Sequence, residues 1–245
     1  GINVSGALTD IAITAADTTT RLTIGSSGIT LTGTRNLTLG ANLGIGANQT
    51  WSIDGGRSLV LLAASRNANG TGNIDIVQTG SGVANVRMSQ NGNNASWANF
   101  SGNITVNSNV TVQSEGNAAA AFGTGTITLN GGQITQANGN WTWSNNIDVT
   151  AASVIGNNSS NGLGRTLKLT GNLTSSNSSG LTFTNNITGG TRTDNLGFLL
   201  AGAGPSTYTT TTISANSRVR VGGTADNTVA SPGLNAGNRG SLGTG

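Results

Sequence analysis

The sequence predicts an all-β fold wound as a β-solenoid, and three observations lead there. Apolar residues alternate with Thr, Ser and Asn over runs of three to five positions, so each run offers one inward face. Gly and Asn punctuate the runs at short intervals, where a chain that bends every few residues needs tight or left-handed backbone. Two distant stretches of the chain also repeat one another, the mark of a quasi-one-dimensional architecture.

The predicted strands are Leu22-Thr-Ile24, Ile29-Thr-Leu31, Leu37-Thr-Leu39, Trp51-Ser-Ile53, Ile104-Thr-Val106, Val110-Thr-Val112, Ile127-Thr-Leu129, Ile147-Asp-Val149, Leu167-Lys-Leu169, Leu181-Thr-Phe183 and Val219-Arg-Val221. Each alternates with a period of two, as a half-buried strand must. No segment carries a 3.6-residue stripe. The nearest, Ala118 to Ala121, is too short to nucleate a helix alone. Asn-Gly pairs at Asn130-Gly131, Asn138-Gly139 and Asn161-Gly162 suit hairpin turns as well as solenoid corners, so turn chemistry leaves both open.

Repetition decides between them. GRSLVL at 56–61 is followed by SGNITVNSNVTVQSEG at 101–116 and AFGTGTITLNGG at 121–132. GRTLKL at 164–169 is followed by TTTISANSRVRVGG at 210–223 and SLGTG at 241–245. Surface-loop insertions in a solenoid produce such unequal offsets between homologous points. The expectation is one continuous solenoid over 1–245, with two degenerate modules of about 1–125 and 126–245.

Joined tail to head, GSLGTG runs into GINVSGAL, and Gly-Ile-Asn-Val-Ser-Gly then matches Thr-Ile-Thr-Leu-Asn-Gly at 126–131. The chain therefore reads as one period of a longer periodic object. Gly1, Ile2, Val4, Leu242, Gly243 and Gly245 are the expected junction residues. With Gly1 first and Met88 its single Met, the chain is expected to be a mature product or an excerpt of something longer.

Composition narrows the chemistry. With 39 Gly, 2 Pro, 34% hydrophobic and 8% charged residues, the apolar content arrives in small, evenly scattered doses that suit a long, thin core. The net charge of +3 and the recurring Thr, Ile and Val argue against disorder. Lys168 stands against ten Arg, so the pI near 10.6 reflects sparse charge of both signs. That is not the basic face a nucleic-acid partner needs. With no His and no Cys, the usual zinc sites, thiol nucleophiles and Ser-His-Asp triads are excluded, and no cofactor is expected. No stretch reaches the roughly 18 apolar residues of a membrane span.

The motif carried by Trp97, Ser101 to Val106, Val110, Val112 and Phe122 to Gly132 resembles the autotransporter-associated β-strand repeat of very large bacterial surface proteins. Tyr208, Ile213, Val219, Val221 and Leu242 to Gly245 carry a looser second copy, which has Thr211-Thr212 where Gly102-Asn103 stand in the first. The resemblance implies an exported, right-handed parallel β-helix of the bacterial cell surface. That family's repeat is a structural unit and brings no catalytic residues. Rungs of about 20 to 25 residues would give roughly ten of them, each advancing the axis by about 4.8 Å.

Other chemistries each have a plainer reading. Ice binding needs a flat outward ladder of Thr-x-Thr, for which Thr30/Thr32, Thr126/Thr128 and Thr182/Thr184 are candidates, yet Thr is simply a favoured strand residue. Paired carboxylates for polysaccharide cleavage would have to come from Asp10, Asp17, Asp54, Asp75, Asp148, Asp194, Asp226 and Glu115, for example by stacking Asp54 on Asp75. The plainer reading is solvated loops or pairs with Arg57 or Arg21. Asp54-Gly55-Gly56 reads as a turn, not a calcium frame. Asn-x-Ser/Thr sequons, such as those at Asn36, Asn103, Asn109, Asn140 and Asn172, are as frequent as composition alone produces. Trp51, Trp97, Trp141 and Trp143 fill wide core positions in preference to forming a sugar-stacking platform.

The expected protein is a non-enzymatic extracellular fibre module whose partners are copies of itself end to end, as a homopolymer of separate subunits or as a tandem array in one longer chain. Its rivals are the stalk or passenger of an adhesin that binds glycan or a cell surface, and a β-helical polysaccharide-degrading enzyme.

Overall fold

A computed structural model describes residues 1–62, 67–90, 97–115, 120–137, 139–159, 166–175, 180–187, 197–202, 211–214, 217 and 219–221. Among them all regular structure is β, and every strand pair is parallel. Parallel pairing with short connections is the signature of a solenoid and excludes the hairpin alternative.

Strands recur in triplets, one per face. β1 (Ile2–Val4), β2 (Ile11–Thr14) and β3 (Arg21–Ile24) form the first rung, and β4 (Ile29–Leu31), β5 (Leu37–Gly40) and β6 (Asn42–Ile45) stack beneath it. Next come β7 (Gln49–Asp54), β8 (Ser58–Leu62) and β9 (Ala68–Gly70), then β10 (Ile74–Thr79), β11 (Ala84–Gln90) and β12 (Asn99–Phe100). β13 (Ile104–Asn107) and β14 (Val110–Ser114) lead to β15 (Ile127–Asn130), β16 (Gln133–Ala137) and β17 (Trp141–Trp143). The rest are β18 (Ile147–Ala151), β19 (Ser153–Ser159), β20 (Leu167–Leu169), β21 (Leu173–Thr174), β22 (Leu181–Ile187), β23 (Phe198–Leu200), β24 (Thr211–Ile213) and β25 (Val219–Val221).

The first face runs eight strands deep, from β1 to β21, and the second nine, from β2 to β24. The third face is in two stacks, β3-β6-β9-β12 and β17-β20-β23-β25. All eleven strands read from alternation lie on these faces.

Alternation works because one column of each strand points into a shared lumen. On the first face Ile2, Ile29, Trp51, Ile76, Val106, Leu129 and Val149 follow one another in register. On the second face Leu37, Leu59, Val86, Val112, Ile134, Ile155 and Phe183 do the same, each at most 1% exposed. Burying each such side chain contributes about 1.5–3 kcal/mol. The four Trp lie in this core, with Trp51 and Trp143 at 0% exposure, so they form no outer platform. Phe122 meets Trp143 edge-on at 4.9 Å, and Trp97 meets Phe100 at 5.2 Å.

The register corrects one expectation. Ile2 stands in the column of Leu129, not in that of Ile127, so the tail-to-head match is displaced by one inward column. The reason is local. The turn closed by Gly28 N–H donating to Gly25 O precedes β4, so β4 begins at Ile29, over Trp51, while β7 already starts at Gln49. A two-residue displacement keeps apolar side chains inward, and alternation alone does not detect it.

Corners are tied by Asn side chains, and Gly precedes Asn73, Asn103, Thr126 and Asn172. The carboxamide oxygen of Asn48 accepts the N–H of Asn73, that of Asn73 the N–H of Asn103, and that of Asn103 the N–H of Thr126, each at 2.9 Å. Asn146 serves Asn172 in the same way at 3.0 Å. The linked residues are 25, 30, 23 and 26 positions apart, so two of these turns fall within the expected 20 to 25 and two exceed it. Each preceding Gly sits hard against the rung above: a Cβ on Gly102 would come within 2.1 Å of Gly72 O, and one on Gly125 within 2.2 Å of Gly102 O.

Candidate functional site

Among the described residues, the three strands of the first rung are each paired on one side only. β1, β2 and β3 each end their stack. Ile2 N–H donates to Gly28 O and Val4 O accepts from Thr32 N–H, so Ile2 and Val4 spend their backbone groups on β4. Parallel alternation then turns the N–H and C=O of Asn3 toward the open side. Ile11 N–H donates to Asn36 O and Ala15 N–H to Gly40 O, which leaves Ala12 facing out in the same way.

The apolar side chains are partly uncovered there too, although Val4 and Ile24 of the same rung are 9% and 1% exposed. Ile2, Ile11, Ile13 and Leu22 are half-buried, whereas their neighbours one rung below, Ile29, Leu37, Leu39 and Leu43, are at most 4% exposed. Leu8, at the corner between β1 and β2, is 86% exposed. An apolar rung with unpaired backbone is a template for another strand layer. Residues 1–24 contain neither Lys nor Pro, the usual edge guards, and the one Arg among them, Arg21, points its guanidinium at Leu43 O on the next rung, 2.9 Å away.

Of the predicted junction residues, Gly1, Ile2 and Val4 lie together on this edge. A Cβ on Gly1 would meet Ser27 Cβ at 2.6 Å, so the strand entry is pressed onto the rung below. Leu242, Gly243 and Gly245 lie outside the described residues. Ile11, Ile13 and Leu22 belong to the same edge. The alternating run Ile11-Ala-Ile13-Thr was the available signal for the first two.

The carboxylates do not converge. Asp54 stands opposite Thr79 and Asp75 opposite Thr50, which sets the two Asp four positions apart, roughly 13 Å along the strand direction. Each described carboxylate is held locally instead. Asp10 accepts the N–H and side-chain amide of Asn36 at 2.9 and 3.2 Å. Asp17 accepts the N–H groups of Thr19 and Thr20 at 2.8 and 2.6 Å. Asp54 accepts Gly33 N–H at 2.8 Å and the Thr79 hydroxyl. These bonds, from Asn36 N–H, Thr20 N–H and the Thr79 hydroxyl first, hold the three carboxyls below the ordinary value of 3.8.

Glu115 pairs with Arg87, and also accepts Gln113 Nε2 at 2.9 Å. Arg57 and Arg21 spend hydrogen bonds on the carbonyls of Thr34 and Leu43. Among the described residues no three His, Cys, Asp or Glu gather as a metal site requires. Asp194 and Asp226 lie outside the described residues.

The Thr pairs do not build an unbroken ladder. Thr30 lies between Asn3 and Ser52, Thr128 between Thr105 and Asp148, and Thr182 between Val154 and Thr212. Beside them Asn107 donates to Asp75 at 2.6 Å and Asn130 to Asn107 at 2.8 Å, so this outer column is satisfied within itself.

Comparison with protein-family models, curated proteins and solved structures returns no match.

Proposed function

We propose that this chain is a non-enzymatic structural module of a bacterial exterior, a right-handed parallel β-helix that continues end to end, through copies of itself, into a surface fibre. The observation that carries this reading is the open first rung, where Asn3 and Ala12 offer backbone groups beside half-covered Ile2, Ile11 and Ile13. A further rung of the same kind satisfies both needs at once. Strand stacks eight and nine deep are in keeping with a count of roughly ten rungs. The likeness to autotransporter-associated repeats supports secretion and the right hand.

Head-to-tail contact of this kind is heterologous and does not close, so it yields filaments in place of rings. Sedimentation velocity across a concentration series tests it. Growing, polydisperse rods are expected from the purified chain, and their loss in Ile2→Asp, with the fold intact by circular dichroism. A strictly monomeric rod at every concentration would sink the proposal.

A further inference from the structure

One inner column of the second face changes chemistry along the axis. Leu39 stacks on Leu61, while further along Met88, Ser114, Gln136 and Asn157 follow one another in direct register. All six are buried, Ser114 and Gln136 at 0% exposure. The lower part is a carboxamide ladder. Gln136 Nε2 donates to Asn157 Oδ1 at 2.6 Å and to Gly139 O at 3.1 Å, and Asn157 Nδ2 to Gly197 O at 3.4 Å.

The head of that ladder is not closed by protein. Ser114 Oγ and Gln136 Oε1 are fully buried on adjacent rungs and have no protein partner. A buried polar group left in this condition costs about 1–3 kcal/mol, and the large majority of such groups in proteins are paired with protein or with ordered water. Two polar partners on neighbouring rungs meet the minimum that holds a buried water. A second donor and acceptor of the same kind lie close by in sequence: Trp143 Nε1 and Asn145 Oδ1 are buried, unpartnered and two residues apart.

We infer that Ser114 and Gln136 hold an ordered water inside the solenoid, accepting from the serine hydroxyl and donating to the glutamine carbonyl. This column is apolar at Leu39 and Leu61 and hydrated at Ser114 and Gln136. This difference locks the stacking register, because a slip of one rung would set the hydrated pair against aliphatic neighbours.

A crystal structure of the intact chain, at a resolution that shows ordered solvent, tests the inference. Density within about 3.2 Å of both Ser114 Oγ and Gln136 Oε1 is expected. A direct Ser114–Gln136 hydrogen bond, or no density between them, would overturn it. A double-mutant cycle gives an independent readout. Gln136→Leu and Ser114→Ala should each lower the denaturation midpoint, and the double variant should lose less than the two single losses added together. Strict additivity would count against a shared water.

Discussion

The side-chain oxygen of Asn73 accepts the backbone N–H of Asn103, thirty residues further along the chain, at 2.9 Å. The same bond links Asn48 to Asn73 and Asn103 to Thr126. A corner has no ladder partner for its N–H, and a carboxamide from the rung above supplies one. The abundance of Asn therefore has a structural cause along this column.

Asn73→Ala removes the acceptor that serves Asn103 while keeping its own N–H bond to Asn48. The expected loss is about 1 kcal/mol, read as a shift of the urea midpoint. Asn73→Asp should lose less, because a carboxylate still accepts.

Gly102→Ala is expected to cost well over 1 kcal/mol, since the new methyl would press into the carbonyl of Gly72, a backbone atom that can yield only by separating rungs. Gly25 has open space around its Cβ position. Gly25→Ala should therefore stay within about 0.5 kcal/mol of the parent. Thermal melts of the two variants side by side make the comparison.

Acid should loosen the upper rungs first. Asp10 and Asp54 hold neighbouring rungs through Asn36, Gly33 and Thr79, and Asp17 holds its own turn; in the folded chain all three carboxyls lie below 3.8. A lowered folded value stabilises the fold above the unfolded value, and that contribution is lost as pH falls through the folded one. Stability should hold down to about pH 4 and decline below it. Hydrogen exchange at pH 5 and pH 3 would show faster opening near Gly33 and Asn36 at the lower pH.

Much of the fold was legible because a solenoid strand has one wet and one dry side. Leu37-Thr-Leu39 and Ile104-Thr-Val106 declare their inward residues by alternation alone, and both lie where alternation puts them. Gln136 was not legible. In Gln-Ile-Thr-Gln-Ala it follows Ile134 by two, an inward position, yet its polarity makes it read as surface. Nor did the sequence convey displacement along the strand: Asp54 and Asp75 are separated by nearly a full turn but sit at different points along their strands, and only the register shows it. The open edge was half legible, through Ile2 and Val4, while Ile11, Ile13 and Leu22 joined it only when three faces closed into a rung.

Electron microscopy of the purified chain at high concentration, beside an Asn3→Pro, Ala12→Pro double variant, tests end-to-end continuation most directly. Proline at these positions removes only N–H groups that face the open side, so the folded rod should survive. The account predicts filaments many times the length of one module, and discrete short rods for the variant. Short rods of one length from the parent chain, or filaments undiminished in the double variant, would contradict it.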